Sequence, residues 1–192
     1  MYRAMCLLLI GLFTPVAYGD WQLDADASSL SFTSVKNGSV IEAHRFRTLS
    51  GSVSVDGKAQ FNVSLDSIDT LIPVRDERMQ TMLFEIEQYP DATFSAEVPI
   101  TAVTQLEVGD AMEYLLKGTL SIRRARLEVS VPVSILRAGE GAFHVVSIKP
   151  LLVEAGNFGL LKGIEALREI AGLDAITPVV PVSFSLVYRE QP

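Results

Sequence analysis

The sequence predicts an all-β fold: an eight-stranded antiparallel barrel with a short helix near 76–87 and a second near 156–171. Three observations point there. Apolar residues recur with a period of two over most of the chain after Trp21, glycine-containing turn signals interrupt those runs at short intervals, and only two stretches switch to a helical period. Strands joined by short connections form a meander, and closing the meander into a barrel removes its exposed edges.

In chain order, Leu30-Ser31-Phe32-Thr33 alternates until Asn37-Gly38, a pair that accepts the positive φ angles of a tight hairpin. The return strand is expected to reach about Val55, with Gly51 permitting a bend or bulge. Asp56-Gly57 marks the next turn, ahead of the alternating Phe61-Asn62-Val63-Ser64-Leu65-Asp66. Further strands are expected near 92–102, 111–122, 125–136, 142–153 and 179–188, with Gly139-Glu140-Gly141 turning the chain between two of them. In the first helix Asp76 is the expected cap. Met79, Met82, Leu83 and Ile86 fall on one face, and Tyr89-Pro90 ends the element. In the second, Leu160, Ile164, Leu167 and Ala171 oppose Lys162, Glu165 and Glu169, and Gly172 terminates the run.

At the N-terminus Arg3 precedes the continuous apolar run from Cys6 to Phe13, followed by the small-residue site Ala17-Tyr18-Gly19. This is the pattern of a signal peptide over residues 1–19, too short to span a bilayer as a stable helix. Cleavage near Gly19 implies an exported protein with residues 20–192 as a single domain. It also removes Cys6, the one cysteine, and with it any disulfide or thiol chemistry. The formal net charge of −7 becomes more negative still on loss of Arg3. Such a chain repels phosphate backbones, which excludes nucleic acid as a partner.

No catalytic residues and no metal site are expected, and the chain reads as a non-enzyme. A zinc site needs three or four ligands, often closely spaced, whereas the only histidines are His44 and His144. There is no nucleophile elbow, and Gly139-Glu140-Gly141 lacks the third glycine of a phosphate loop and precedes a strand. Alternation groups His44 with Glu42 and Phe46, and His144 with Val146 and Ile148, without deciding which way either face points. The expected place for both is the barrel mouth or surface. Phe32, Phe61, Phe94, Leu116, Leu120, Val131, Val133, Phe184 and Leu186 sit on faces that should point inward. Eight strands can enclose a filled core or one ligand, and periodicity does not choose between them.

Val74-Arg75-Asp76-Glu77-Arg78-Met79, together with Glu85-Ile86-Glu87-Gln88-Tyr89-Pro90-Asp91-Ala92-Thr93-Phe94, resembles the bacterial YceI-like family of polyisoprenoid-binding proteins. Lys117-Gly118-Thr119-Leu120-Ser121-Ile122 is similar to the family's Gly-x-Leu-Thr-Ile strand. Phe158-Gly159-Leu160 and Val180-Pro181-Val182-Ser183-Phe184 are also similar to family members, so the likeness covers essentially the whole chain after the signal peptide. The sequence departs from the pattern at Asn37 and Arg78, where relatives often carry histidine, and at Arg124, where glycine is common.

The resemblance implies a lipocalin-like barrel, periplasmic or secreted, holding an apolar small molecule. That molecule would be an isoprenoid quinone resembling ubiquinone, or a polyprenyl lipid, carried as cargo with no resident cofactor. It further implies transient contact with a membrane protein such as a cytochrome b561. A homodimer is one assembly compatible with it. The inward-facing residues above become candidate ligand contacts. Met79 and Leu83 of the first helix, and Phe158 and Leu161 of the second, join them as cover or mouth. Arg75 joins as a head-group contact or as one half of a local ion pair. The alternative is a filled barrel acting as an interaction module that docks a membrane redox protein or an envelope complex.

Overall fold

The computed structural model describes residues 21–191; the expected signal peptide lies outside the described residues. Twelve strands form one antiparallel sheet. They are β1 (Trp21–Leu23), β2 (Ser29–Lys36), β3 (Val40–Phe46), β4 (Leu49–Val53), β5 (Lys58–Ser64) and β6 (Ile68–Asp69), followed by β7 (Asp91–Glu97), β8 (Ala111–Ile122), β9 (Ala125–Gly139), β10 (Ala142–Ser147), β11 (Leu151–Glu154) and β12 (Val179–Glu190). They occupy eight positions around a closed barrel, because several are halves of one interrupted strand. β1 and β2 lie end to end along one edge of β12, and β10 and β11 along the other. β3 runs on into β4 and β5 into β6, side by side. Each position thus neighbours the next in sequence, and β12 returns to β1 and β2 to close an up-and-down ring.

The hairpin at Asn37-Gly38 sets the register of the functional wall. Both residues take positive φ, 49° and 73°, as a turn of this kind requires. The chain then returns with Phe32 opposite His44 and Ser34 opposite Glu42. The return strand breaks at Arg47-Thr48 and not at Gly51, which lies within β4 opposite Phe61. The strand expected over 92–102 stops at Glu97: Pro99 offers no backbone N–H to a ladder, and Ile100–Thr104 forms helix α2. The strand expected over 142–153 is interrupted at Ile148-Lys149-Pro150 for the same reason.

Helix α1 spans Pro73–Arg78 and passes directly into a π-helical segment, Met79–Phe84. It starts earlier than expected, with Pro73 in the first turn and Ile72 at the cap. Asp76 is therefore not the cap; its carboxylate reaches back to accept the Thr70 N–H at 2.9 Å and the Thr70 hydroxyl. The second helical region is also divided. A 3₁₀ turn over Ala155–Phe158 ends at Gly159 (φ 68°), and helix α3 (Leu161–Ile170) follows.

Helices pack over parts of both ends of the barrel. α1, the π segment and α3 cover one end, where Met79, Leu83 and Phe84 pack with Phe158, Leu160 and Val153. α2 covers the other, where Val103 packs with Trp21, Ile135, Phe143 and Tyr188. Two glycines permit close approaches. A Cβ on Gly163 of α3 would stand 2.6 Å from the Met82 carbonyl oxygen, so α3 lies directly against the π segment. A Cβ on Gly118 would stand 2.5 Å from the Phe94 ring, which occupies the space the glycine leaves open.

Candidate ligand-binding site

The barrel encloses a cavity of about 540 Å³ whose wall is almost wholly apolar. The volume falls within the roughly 300–1,000 Å³ common for small-molecule sites. Phe61, Phe94, Leu116, Leu120 and Phe184 all line it, yet none is fully buried. Inward side chains at the centre of a filled barrel would be buried completely; here their inner surfaces face open space. The interior is hollow.

Every candidate ligand contact read from the sequence lines this cavity except Phe158 and Leu161. Phe32, Phe61 and Phe94 come from β2, β5 and β7; Leu116 and Leu120 from β8; Val131 and Val133 from β9; Phe184 and Leu186 from β12. Met79 and Leu83 close the wall at the helical end, and Arg75 stands at its rim. Phe158 is buried in the packing behind the wall. Leu161 is 52% exposed: the break at Gly159 starts α3 there, and the inward face falls to Leu160, Ile164 and Leu167.

Several wall residues escaped the sequence reading. Phe84 joins Met79 on the buried side because the π segment carries more residues per turn than the 3.6-residue spacing assumed for it. Tyr188 continues the alternation of Phe184 and Leu186 by one further step, and that signal was available. His44 is 5% exposed and belongs to the wall, not to the surface. The pairing of Phe32 with His44 through the Asn37-Gly38 turn would have placed it. His144 lies on the outer face, with Nε2 2.7 Å from the Ser185 hydroxyl.

The cavity opens at one end. Its strongly exposed apolar lining residues are Ile72 and Val74, at the start of α1, and Ile170 and Ala171, at the end of α3. Beside them, among the described residues, is the one cluster of charged side chains in the wall. Glu42 accepts from Lys36 at 2.6 Å and from Arg75 at 2.7 Å, and Arg75 also donates to the Thr70 carbonyl at 2.7 Å. The Lys36 ammonium, reinforced by Arg75, holds the Glu42 carboxyl below its ordinary range. Just inside, His44 Nε2 is 2.9 Å from the Ser34 hydroxyl, and its Nδ1 is buried with no protein partner. Burial, followed by the positive charge of Arg75, pushes the His44 pKa down, so the ring is neutral at neutral pH. Asn37 accepts from the Asp174 and Ala175 N–H groups at 2.9 and 3.2 Å, tying the hairpin tip to the segment after α3. Arg124 stacks its guanidinium 5.7 Å from the Tyr89 ring centre. Among the described residues no group of three or more His, Cys, Asp or Glu converges on a point. The arrangement can envelop an apolar chain and present a few polar groups near its outer end.

The comparisons with known proteins agree with this architecture. A polyisoprenoid-binding domain from Saccharophagus degradans, implicated in plant cell wall breakdown, superposes with a TM-score of 0.87 at 38% identity, over 89% of this chain and 98% of that one. BcnA of Burkholderia cenocepacia superposes at 0.66 with 21% identity, over 86% and 98%. A YceI protein of Campylobacter jejuni gives 0.51 with 14% identity, over 78% and 84%. These two share the fold. A search of curated proteins finds no match. The model of the YceI-like domain matches residues 21–188, nearly the whole described chain, and the protein belongs to that family.

Proposed function

We propose that this protein is a periplasmic carrier that holds an isoprenoid lipid, a prenylquinone or a polyprenyl chain, inside its barrel. The observation that carries the reading is the hollow interior: about 540 Å³ of apolar space where a filled barrel would have side chains. The isoprenoid class is supported by the 38%-identical Saccharophagus domain, which is described as polyisoprenoid-binding. An isoprenoid tail is insoluble in water, and the wall replaces its hydration with Phe32, Phe61, Phe94, Phe184 and their aliphatic neighbours. Each buried methylene contributes roughly 0.8 kcal/mol, so a few prenyl units offset the entropy of ordering the chain and leave micromolar affinity. The flexible thioether of Met79 suits an irregular, branched occupant. The tail lies toward the apolar end closed by Val103 and Trp21, and the head group lies by Arg75 and His44. An interaction module that docks a membrane redox protein through a filled barrel is the weaker reading, because this barrel is open inside.

The test is purification without added lipid, followed by native mass spectrometry, solvent extraction and titration of the stripped protein with a prenylquinone. The expected result is one co-purifying or re-bound apolar molecule per chain. Absence of any bound molecule, together with failure to bind the prenylquinone, would contradict the proposal.

A further inference from the structure

A cargo that dissolves only in lipid has to cross the cavity mouth from a lipid phase, and the mouth is bordered by exposed apolar side chains. Half of the strongly exposed large aliphatic residues of the described chain belong to this end of the barrel: Val40, Ile41, Leu71, Ile72, Val74 and Ile170. Patches of this kind on a soluble surface mark interaction sites. Resting on the carrier reading above, we propose that this rim docks on the surface of a lipid bilayer bearing anionic head groups, with Leu71 at the point of contact.

Leu71 is 81% exposed, and its backbone is left-handed at φ 63°, an uncommon conformation for a residue other than glycine, asparagine or aspartate. The surrounding turn is held on every side. Asp69 Oδ1 accepts the Leu71 N–H at 3.1 Å, Asp76 accepts the Thr70 N–H, and Arg75 donates to the Thr70 carbonyl. A strained conformation persists where its surroundings over-determine it, and here the effect is to present an apolar side chain to the exterior. The apolar surface is also continuous: Ile72, Val74 and Ile170 are both exposed and part of the cavity wall. A chain leaving a bilayer at this rim therefore has apolar side chains to pass along beside the Lys36–Glu42–Arg75 cluster.

The charge at the rim fits the same partner. Arg45 and Arg47 share the single carboxylate of Asp69, at 2.8 and 2.9 Å. Their side chains are 62% and 63% exposed while that of Asp69 is 4% exposed, so the surface presents the cations. Lys36 and Arg75 likewise share Glu42. A protein of net charge −7 thus shows arginines beside the most exposed leucine of the described residues. Apolar anchors flanked by cations are what an anionic membrane interface retains.

Co-sedimentation of the full chain with vesicles tests this. Vesicles of equimolar phosphatidylglycerol and phosphatidylcholine should retain the protein better than phosphatidylcholine alone, and added salt should weaken retention. The double substitution Ile41→Asp/Leu71→Asp should lower the bound fraction about tenfold or more, since carboxylates are strongly disfavoured at such depths. Val108→Asp/Leu115→Asp, at exposed apolar positions away from the rim, should leave it unchanged. Should the double variant fail to fold, Leu71→Gly keeps the backbone conformation and removes the anchor; it should also weaken retention. Wild-type protein that stays in the supernatant at every lipid concentration would overturn the proposal. So would a rim variant that sediments like wild type, or one whose only effect is to split a dimer in solution. Titration of the same samples with a prenylquinone separates the two claims. Quinone binding without vesicle binding removes only the docking surface; vesicle binding without quinone binding removes the cargo.

Discussion

Asp69 organises the entrance. Its buried carboxylate takes Arg45, the Leu71 N–H and Arg47, and these partners, Arg45 foremost, hold its pKa down to about 2. The folded value lies below the roughly 3.9 of an unperturbed aspartate. The stabilisation is therefore fully present above about pH 4 and is lost as pH falls toward the folded pKa. Asp69→Asn should be less stable at neutral pH and should lack that part of the acid limb, as read from denaturant melts between pH 2 and 7; an unaltered acid limb would contradict the assignment. His44 works at a higher pH. Burial keeps its folded pKa below the ordinary value near 6.5, so the unfolded chain binds the proton first and stability declines as pH drops below that value. His44→Phe should remove that decline, visible as matching melting temperatures at pH 7 and pH 5. Of these two residues the sequence showed the alternation that groups His44 with Glu42 and Phe46. It did not show Asp69, whose importance comes from two arginines far away in sequence and from a backbone N–H.

At the scale of elements, strands were more legible than helices. A strand declares itself by period two, and the Asn37-Gly38, Asp56-Gly57 and Gly139-Glu140-Gly141 turns were all visible. The errors fell where proline interrupted an apolar alternation, at Pro99 and Pro150, and where one period stood in for another. The π segment is the clearest case: Met79 and Phe84 share its buried side, while a 3.6-residue wheel sets Phe84 well to one side. Contact between α3 and that segment depends on Gly163. Gly163→Val would force side-chain atoms against the Met82 carbonyl and the Leu83 Cα, backbone that cannot rotate aside. The expected loss is roughly 1–3 kcal/mol, the usual range for overpacking, measured by chemical denaturation. Gly118→Ala should cost a similar amount, because the added methyl meets the Phe94 ring and the Ser95 carbonyl. A variant as stable as wild type at either position would contradict the packing described.

For the whole molecule, the closed meander followed from counting strands and turns, since a two-residue period with short connections leaves few other ways to bury one face. The cavity did not follow. Whether inward side chains such as Phe61 and Phe184 meet across the barrel or stop short depends on its diameter and on where the helices sit, and neither is written in the alternation. The central claim is that the open interior is a binding site for an isoprenoid chain, and a cavity-filling variant tests it most directly. Leu116→Trp places an indole into space that the wild type leaves open, from a strand position that already faces inward. Delipidated wild type and the variant are titrated with the same prenylquinone by isothermal calorimetry. The expected outcome is one site per chain with micromolar affinity in the wild type, and at least about tenfold weaker binding by a variant that remains folded, a difference of about 1.4 kcal/mol. Equal binding by the two proteins, or no binding by the wild type, would contradict the account.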